Sequence, residues 1–369
     1  MHGARMQIRY RYPIEPSTVE TFVGLLATAS AERLKLPVSF FALTAPSLGR
    51  IRLTAANTPP HVLMPGPYPE WDMGPMQANY TLLRWWEASD RQAFIAEHAP
   101  SIRAVATRGE LGASTELIAS LPNLELVACY GVGTDGIDLA ACRARGIRVT
   151  NTPDVLNGDV ADLAVGLTLA LQRSIPAGDR FVRSGEWAKG PMPLATRVFG
   201  QRVGIAGFGR IGSTIARRLS GFDMELGYFS RTAREDSPLR HFNSLPAMAE
   251  WCDVLIVILP GGEATRAIVD AGVLQALGPK GWLVNVSRGT TVDENALLEA
   301  LEQRTIAGAA LDVFLNEPRI DPRFAALDNV VLHPHHGSGT EQTRRAMGEL
   351  VRRNLQAHFG GQPLVTPVA

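Results

Sequence analysis

The sequence predicts an α/β protein built from two doubly wound parallel-sheet domains, and two observations carry that expectation. From His61 onward, short runs rich in β-branched residues alternate with stretches that suit helices or turns, the rhythm of parallel strands joined by crossover helices. The chain also holds two copies of G-x-G-x-x-G, "GVGTDG" from Gly131 and "GFGRIG" from Gly207. Each follows an apolar run directly, as a strand-to-helix turn requires. With 369 residues there is enough chain for two cores.

Residues 1–57 settle into neither hydrophobic period and are expected to be a weakly ordered N-terminal extension, or the product of a start site placed too early. A signal peptide is disfavoured because Glu15 and Glu20 lie between the arginines and the apolar run, and the same acids disfavour a transit peptide.

The runs "HVLM", "LLRWW", "IRAVAT", "LELVACY" and "IRVTN" read as the strands of a first domain, with "SDRQAFIAEHAP" and "STELIASLPN" among the connections. The segment "DVADLAVGLTLALQR" reads as a helix apolar on most sides, suited to a junction between domains or subunits. Its apolar run, Leu163 to Leu171, is far short of the roughly 20 residues of a membrane span. Six further strands are expected at "RVGIAG", "ELGYFS", "DVLIVIL", "GWLVNVS", "AGAALDV" and "VVLHP", the number in a full doubly wound dinucleotide domain. The last helix places Met347, Leu350, Val351, Leu355 and Phe359 on one face, with Ser338 and Glu341 spaced as a capping box and glycines at its stop. It is expected to return to the first domain. The expected division is therefore 58–152 completed by 338–369, and 153–337.

Composition excludes several classes of partner. Lys plus Arg balance Asp plus Glu at 36 each, so no basic excess draws nucleic acid or an anionic membrane, and a small-molecule partner is expected. Cys129, Cys142 and Cys252 show no C-x-x-C spacing, which suggests neither a disulfide framework nor a zinc site and fits a reducing cytoplasm.

The two glycine loops differ in context. Gly207, Gly209 and Gly212 follow "RVGIA" and open "STIARRLSG", so with Phe208, Arg210 and Ile211 they form a loop whose helix N-terminus would face a pyrophosphate. The strand "ELGYFS" ends at Ser230, where this arrangement usually places an acid on the ribose 2′-hydroxyl. Arg231 and Thr232 follow and Arg234 is near, a hydroxyl-and-cation set that predicts NADP(H), with NAD(H) as the weaker alternative. After the first loop comes only a short helix, stopped by Gly146, and Asp154 lies beyond Pro153. That loop is either an anion cradle sized for a small carboxylate or a turn whose glycines are purely steric.

Three strand ends carry further polar residues: "VNVSRGTTVDE", "LDVFLNEP" and "VVLHPHHGSGT". Arg288 suits bidentate capture of a carboxylate. Glu317 and His335 together suggest a carboxylate that orients an imidazole, leaving the imidazole to donate a proton to a substrate oxygen.

This ordered set, with "NTPDVL", "SGEW" and the ending "PLVTPV", resembles the D-isomer-specific 2-hydroxyacid dehydrogenase family from about His61 to the C-terminus, most closely its NADPH-dependent hydroxypyruvate/glyoxylate reductase branch. The resemblance implies two Rossmann-like domains, the substrate domain being flavodoxin-like and completed by the C-terminal helix. It also implies that Arg288 binds the substrate carboxylate, that Glu317 pairs with the imidazole, that His335 is the general acid, and that the backbone of Val132 and Gly133 helps hold the carboxylate. Val286, Ser287, Asp312 and Gly337 join the cofactor set, with Asp312 near the nicotinamide carboxamide. His336 stands where the family usually has an aliphatic residue. Trp187 of "SGEW" either reaches the active site of a partner subunit or is an ordinary packed tryptophan. The implied activity is reduction of hydroxypyruvate or glyoxylate to the D-2-hydroxy acid by a cytoplasmic homodimer. The alternatives are a bulkier 2-keto acid, phosphite, or a dinucleotide-gated corepressor-like role. Formate dehydrogenase resembles the chain less, since it has Gln where Glu317 stands.

Overall fold

Two parallel sheets organise the computed structural model, which describes residues 59–368. The expectation for residues 1–57 lies outside the described residues. In the first sheet, β1 (His61–Met64), β2 (Thr81–Arg84), β3 (Ile102–Arg108), β4 (Leu126–Tyr130) and β5 (Arg148–Thr150) lie in the order β2-β1-β3-β4-β5, the flavodoxin-like arrangement. The second contains β6 (Arg202–Ala206), β7 (Glu225–Phe229), β8 (Arg240–Phe242), β9 (Val254–Val257), β10 (Trp282–Asn285), β11 (Gly308–Leu311) and β12 (Val330–Leu332), ordered β12-β11-β10-β9-β6-β7-β8. The strand order reverses at β6, so a crevice opens at its C-terminal end.

The central strands form because their sequence is apolar at every position. Leu126–Tyr130 and Val254–Val257 are buried throughout, as a parallel strand covered on both faces must be. The expected six strands of the second sheet are seven. The added β8, "RHF", pairs with Gly227–Phe229 at the sheet edge and buries only Phe242 fully. An edge strand of this length presents no apolar run to read.

Helix Asn157–Gln172 buries Val160, Ala161, Ala164, Leu167 and Leu171 and packs on helix Arg210–Leu219. Arg218 Nε donates to Asp162 Oδ1 at 2.6 Å along this contact. No helix among the described residues is long and apolar enough to cross a membrane.

The C-terminal helix runs from Glu341 to Phe359, and its cap corrects the expected Ser338–Glu341 box. Thr340 is the N-cap, its Oγ1 accepting the Thr343 N–H at 3.2 Å. The reason is geometric: a capping oxygen must sit immediately before the first helical residue to reach the third N–H, and Ser338 precedes Glu341 by three positions. Met347, Val351 and Leu355 are buried as expected, whereas Leu350 and Phe359 are half-buried and Gly348 and Asn354 complete the inner face. The helix is fastened to the elements around the five-stranded sheet. Tyr130 Oη donates to the Arg344 carbonyl at 2.6 Å, His358 Nε2 lies 2.9 Å from Glu125 Oε2, and Arg352 pairs with the fully buried Asp72.

Candidate active site

A cavity of about 1070 Å³ lies where the C-terminal ends of both sheets meet. Its wall on the seven-stranded side begins at β6. Gly207 has φ +105°, and a Cβ there would sit 2.5 Å from the Ile258 carbonyl oxygen, so only glycine lets the chain turn this closely. Gly212 packs against the Gly207 carbonyl with no room for a side chain, which lets helix Arg210–Leu219 start directly behind the strand. Gly209, its N-cap, faces open space and makes no side-chain cap hydrogen bond. The first N–H groups of the helix are thus left for an anion, and the loop fits a dinucleotide pyrophosphate. Gly209, Arg210, Ile211 and Gly212 line the cavity, while Phe208 turns away and stacks on Tyr228 at 4.1 Å.

Ser230, Arg231 and Thr232 follow β7 outside the lining of that cavity. Ser230 Oγ donates to the Thr232 carbonyl at 2.7 Å. Arg231 is exposed and has no carboxylate partner among the described residues. Arg234 is different: it forms a two-point pair with Asp236, at 3.0 and 2.8 Å. Of the two cations read from the sequence, one is already engaged.

Val286, Ser287 and Gly337 line the cavity with Asp312. Asp312 is only 2% exposed, yet its charge is met: Oδ1 accepts from His333 Nδ1 at 2.6 Å and from the His336 N–H at 2.7 Å. Gly337 lies against it, since a Cβ there would be 3.1 Å from Asp312 Oδ2. His333 was not singled out in the sequence, and its neighbours in "HPHH" offered no local reason to choose it.

Arg288 follows Val286 and Ser287 at the end of β10 and crosses the cleft. Its Nε lies 3.1 and 3.2 Å from the two carboxylate oxygens of Asp135, and its Nη1 donates to the Ser287 carbonyl at 2.8 Å. The guanidinium rests directly against Gly133, so a larger residue there would have to displace the Arg288 side chain. The first glycine loop therefore meets Arg288 across the cavity, and its glycines have steric reasons as well. Among the described residues the Val132 and Gly133 N–H groups donate to nothing, while Val132 O accepts from Asn151 Nδ2 at 2.9 Å. Sequence reasoning missed Asp135, although it stood inside the quoted motif two residues after Gly133.

His335 and Glu317 line the same cavity. His335 Nδ1 lies 2.5 Å from Glu317 Oε2, and the Phe314 N–H donates to Glu317 Oε1 at 2.8 Å. Burial pushes the Glu317 carboxyl up. The hydrogen bonds from His335 and Phe314, with the charges of His335 and Arg288, outweigh burial and hold it below its ordinary range. An ionised carboxylate only accepts, so the Nδ1 proton is fixed on the histidine and Nε2 is left for the cavity. His335 has φ +47°, and its N–H is held by the Asp312 carbonyl at 2.7 Å. His336 does not line the cavity, and its ring fills the space beside Gly339.

Trp187 stands apart. It lies on the short turn Glu186–Ala188, 68% exposed and outside the cavity lining, so it is not packed within its own chain. The cause is its setting: Ile175, Val182, Leu194 and Phe199 in the same stretch are exposed too. Cys129, Cys142 and Cys252 are buried free thiols. Burial pushes Cys129 and Cys252 up to about 12.

Comparison with known proteins gives a consistent picture. Residues 165–337 match the family described as D-isomer specific 2-hydroxyacid dehydrogenase, NAD binding domain. The chain is 47% identical over 307 residues to a glyoxylate/hydroxypyruvate reductase A of Arabidopsis thaliana, covering 83% of this chain and 98% of the relative. It is 48% identical over 270 residues to a 2-ketogluconate reductase of Gluconobacter oxydans, covering 73% and 87%. Among solved structures, an NADPH-dependent glyoxylate/hydroxypyruvate reductase from Sinorhizobium meliloti, in complex with NADP and malonate, superposes with a TM-score of 0.79 at 42% identity, covering 85% of this chain and 97% of that one.

Proposed function

The chain belongs to the D-isomer specific 2-hydroxyacid dehydrogenases, oxidoreductases acting on CH–OH donors, and we propose that it reduces a small 2-keto acid, hydroxypyruvate or glyoxylate, to the D-2-hydroxy acid with NADPH. The observation that carries this reading is the convergence of Arg288, Glu317 and His335 on one cavity with the Gly131–Gly133 loop.

In this reading the substrate carboxylate is held by Arg288 together with the adjoining N–H groups of Val132 and Gly133. The bound nicotinamide supplies the hydride. His335, protonated on both nitrogens, donates the Nε2 proton to the oxygen that develops negative charge. Glu317 stays ionised and holds the ring by Nδ1. Arg288 and the protonated His335 are donors aimed at developing charge, so they lower the barrier without reorganising.

Gly207 to Gly212 hold the cofactor phosphates, with Phe208 shaping the turn. Val286, Ser287, Asp312 and Gly337 form the wall beside the nicotinamide. Arg231, free of any carboxylate among the described residues, supports a 2′-phosphate and hence NADP(H), with Ser230 and Thr232 beside it. We take residues 58–152 completed by 338–369 as the substrate domain and 153–337 as the dinucleotide domain. The exposed apolar stretch from Ile175 to Phe199, with Trp187, supports a homodimer in which Trp187 reaches the partner's cavity. A bulkier 2-keto acid is the second reading, favoured by a cavity that continues past the glycine loop to Arg108 and Arg344.

The test is initial rates of NADPH and NADH oxidation with hydroxypyruvate and glyoxylate offered separately. Turnover favouring NADPH is expected. Turnover with NADH alone would overturn the reading of Ser230 and Arg231, and none with either coenzyme would overturn the substrate reading.

A further inference from the structure

We infer that the cavity carries a second anion-recognition subsite, built on Arg344 and Arg108, which directs the chain toward 2-keto acids bearing another negative charge at their far end. The inference rests on the 2-keto acid reductase reading above and specifies its substrate class.

Arg108 ends β3 and stands in register with Tyr130, the last residue of β4, from which the Gly131–Gly133 loop departs. Arg344 reaches the same strand end from the C-terminal helix. Its Cζ lies 5.9 Å from the centre of the Tyr130 ring, and its carbonyl accepts the Tyr130 hydroxyl at 2.6 Å. Both arginines and Tyr130 line the cavity. They form a cationic end adjoining the loop proposed to hold the first carboxylate.

The charges there do not cancel. Glu110 Oε1 lies 2.8 Å from Arg108 Nε, a contact that balances Arg108 although its angle is not that of a hydrogen bond. Arg344 has no carboxylate within pairing distance among the described residues. Its neighbours on the same helix are treated otherwise: Arg345 pairs with Glu341 at 2.8 Å, and Arg352 with Asp72 and Glu349. Tyr130 adds no negative charge, because burial pushes its hydroxyl up to about 12. The end of the cavity thus keeps one surplus positive charge in a concave wall, where its field is focused. Glyoxylate has no atoms beyond its aldehyde carbon to use it. A keto acid extended by one to three carbons and ending in carboxylate or phosphate does.

The experiment measures kcat/KM with NADPH for matched pairs: 2-oxoglutarate against 2-oxopentanoate, oxaloacetate against 2-oxobutyrate, and 3-phosphohydroxypyruvate against hydroxypyruvate. In at least one pair the dianionic acid should lead by about tenfold, the size of one charge-assisted contact, and the pair concerned tells carboxylate from phosphate. Arg344→Gln should reduce that ratio by about tenfold, and Arg344→Lys should restore part of it. If hydroxypyruvate is reduced but no dianionic acid leads its partner, the inference falls and the reductase reading stands. A ratio unmoved by Arg344→Gln overturns it as well. So does a preference for 2-oxogluconate over every dianionic probe, which would mark the end as a hydroxyl-binding one. Reduction of no 2-keto acid with either coenzyme would overturn the reductase reading and the inference together.

Discussion

Asp135 and Arg288 face each other across the cleft, with both oxygens of the carboxylate within 3.2 Å of the guanidinium Nε. One residue comes from the loop after β4 and the other from the segment after β10, and both side chains are about three-quarters buried. The pair fixes which edge of Arg288 is presented to the Gly133 loop.

Asp135→Asn keeps the size of the side chain and removes the charge that orients Arg288. We expect kcat/KM for hydroxypyruvate to fall by about 10- to 100-fold, the range that misplacement of a positioned group produces, with KM rising more than kcat falls. Steady-state rates on the purified variant check this. An unchanged KM would show that Arg288 holds its position without Asp135.

The two adjacent histidines separate cleanly in space, so they should separate in kinetics. His335→Gln should lower kcat by about 10²- to 10⁴-fold, the usual worth of a general acid. His336→Gln should keep most of the activity, since its ring packs beside Gly339 and only its backbone N–H serves Asp312. The reverse result would reassign the acid.

Arg231 is unpaired among the described residues and Arg234 is held by Asp236. Arg231→Ala should therefore cost about tenfold in kcat/KM for NADPH, roughly one charge-assisted contact, with little change for NADH. Arg234→Ala should have the smaller effect. Equal losses with both coenzymes would show that Arg231 does not meet a 2′-phosphate.

Glu317 links the site to acid stability. Its folded-state carboxyl sits below the ordinary value of 4.5, so the unfolded chain takes up a proton first as pH falls. The stabilisation is complete above the ordinary value and disappears as pH drops through the lowered one. Glu317→Gln lacks this contribution. Thermal midpoints of parent and variant, compared from about pH 6 down to about pH 3, should differ most at the upper end and converge below. A gap that stays constant would refute the linkage.

What the sequence made legible follows from how locally each feature is encoded. Central parallel strands such as Val254–Val257 are read easily because burial on both faces demands an unbroken apolar run. The Gly207 turn is read because its glycines answer to contacts only a few residues away. β8 was missed because three edge residues carry no period, and the cap at Thr340 was misplaced because serine and threonine cap alike and stand only two positions apart. Asp135 and Arg288 are 153 residues apart in sequence, and Arg344 meets Tyr130 only through the return of the last helix. No window along the chain contains such pairs, so folding alone brings them together.

The Asp135 pairing also bears on what the site ignores. In the proposed reading, a carboxylate entering beside Gly133 would meet a guanidinium whose charge Asp135 already balances, so hydrogen bonding rather than a bare cation's pull would remain for it. A simple carboxylic acid would have only that meeting. A keto acid would add a second point of contact at His335, which is how the site would tell its substrate from look-alikes.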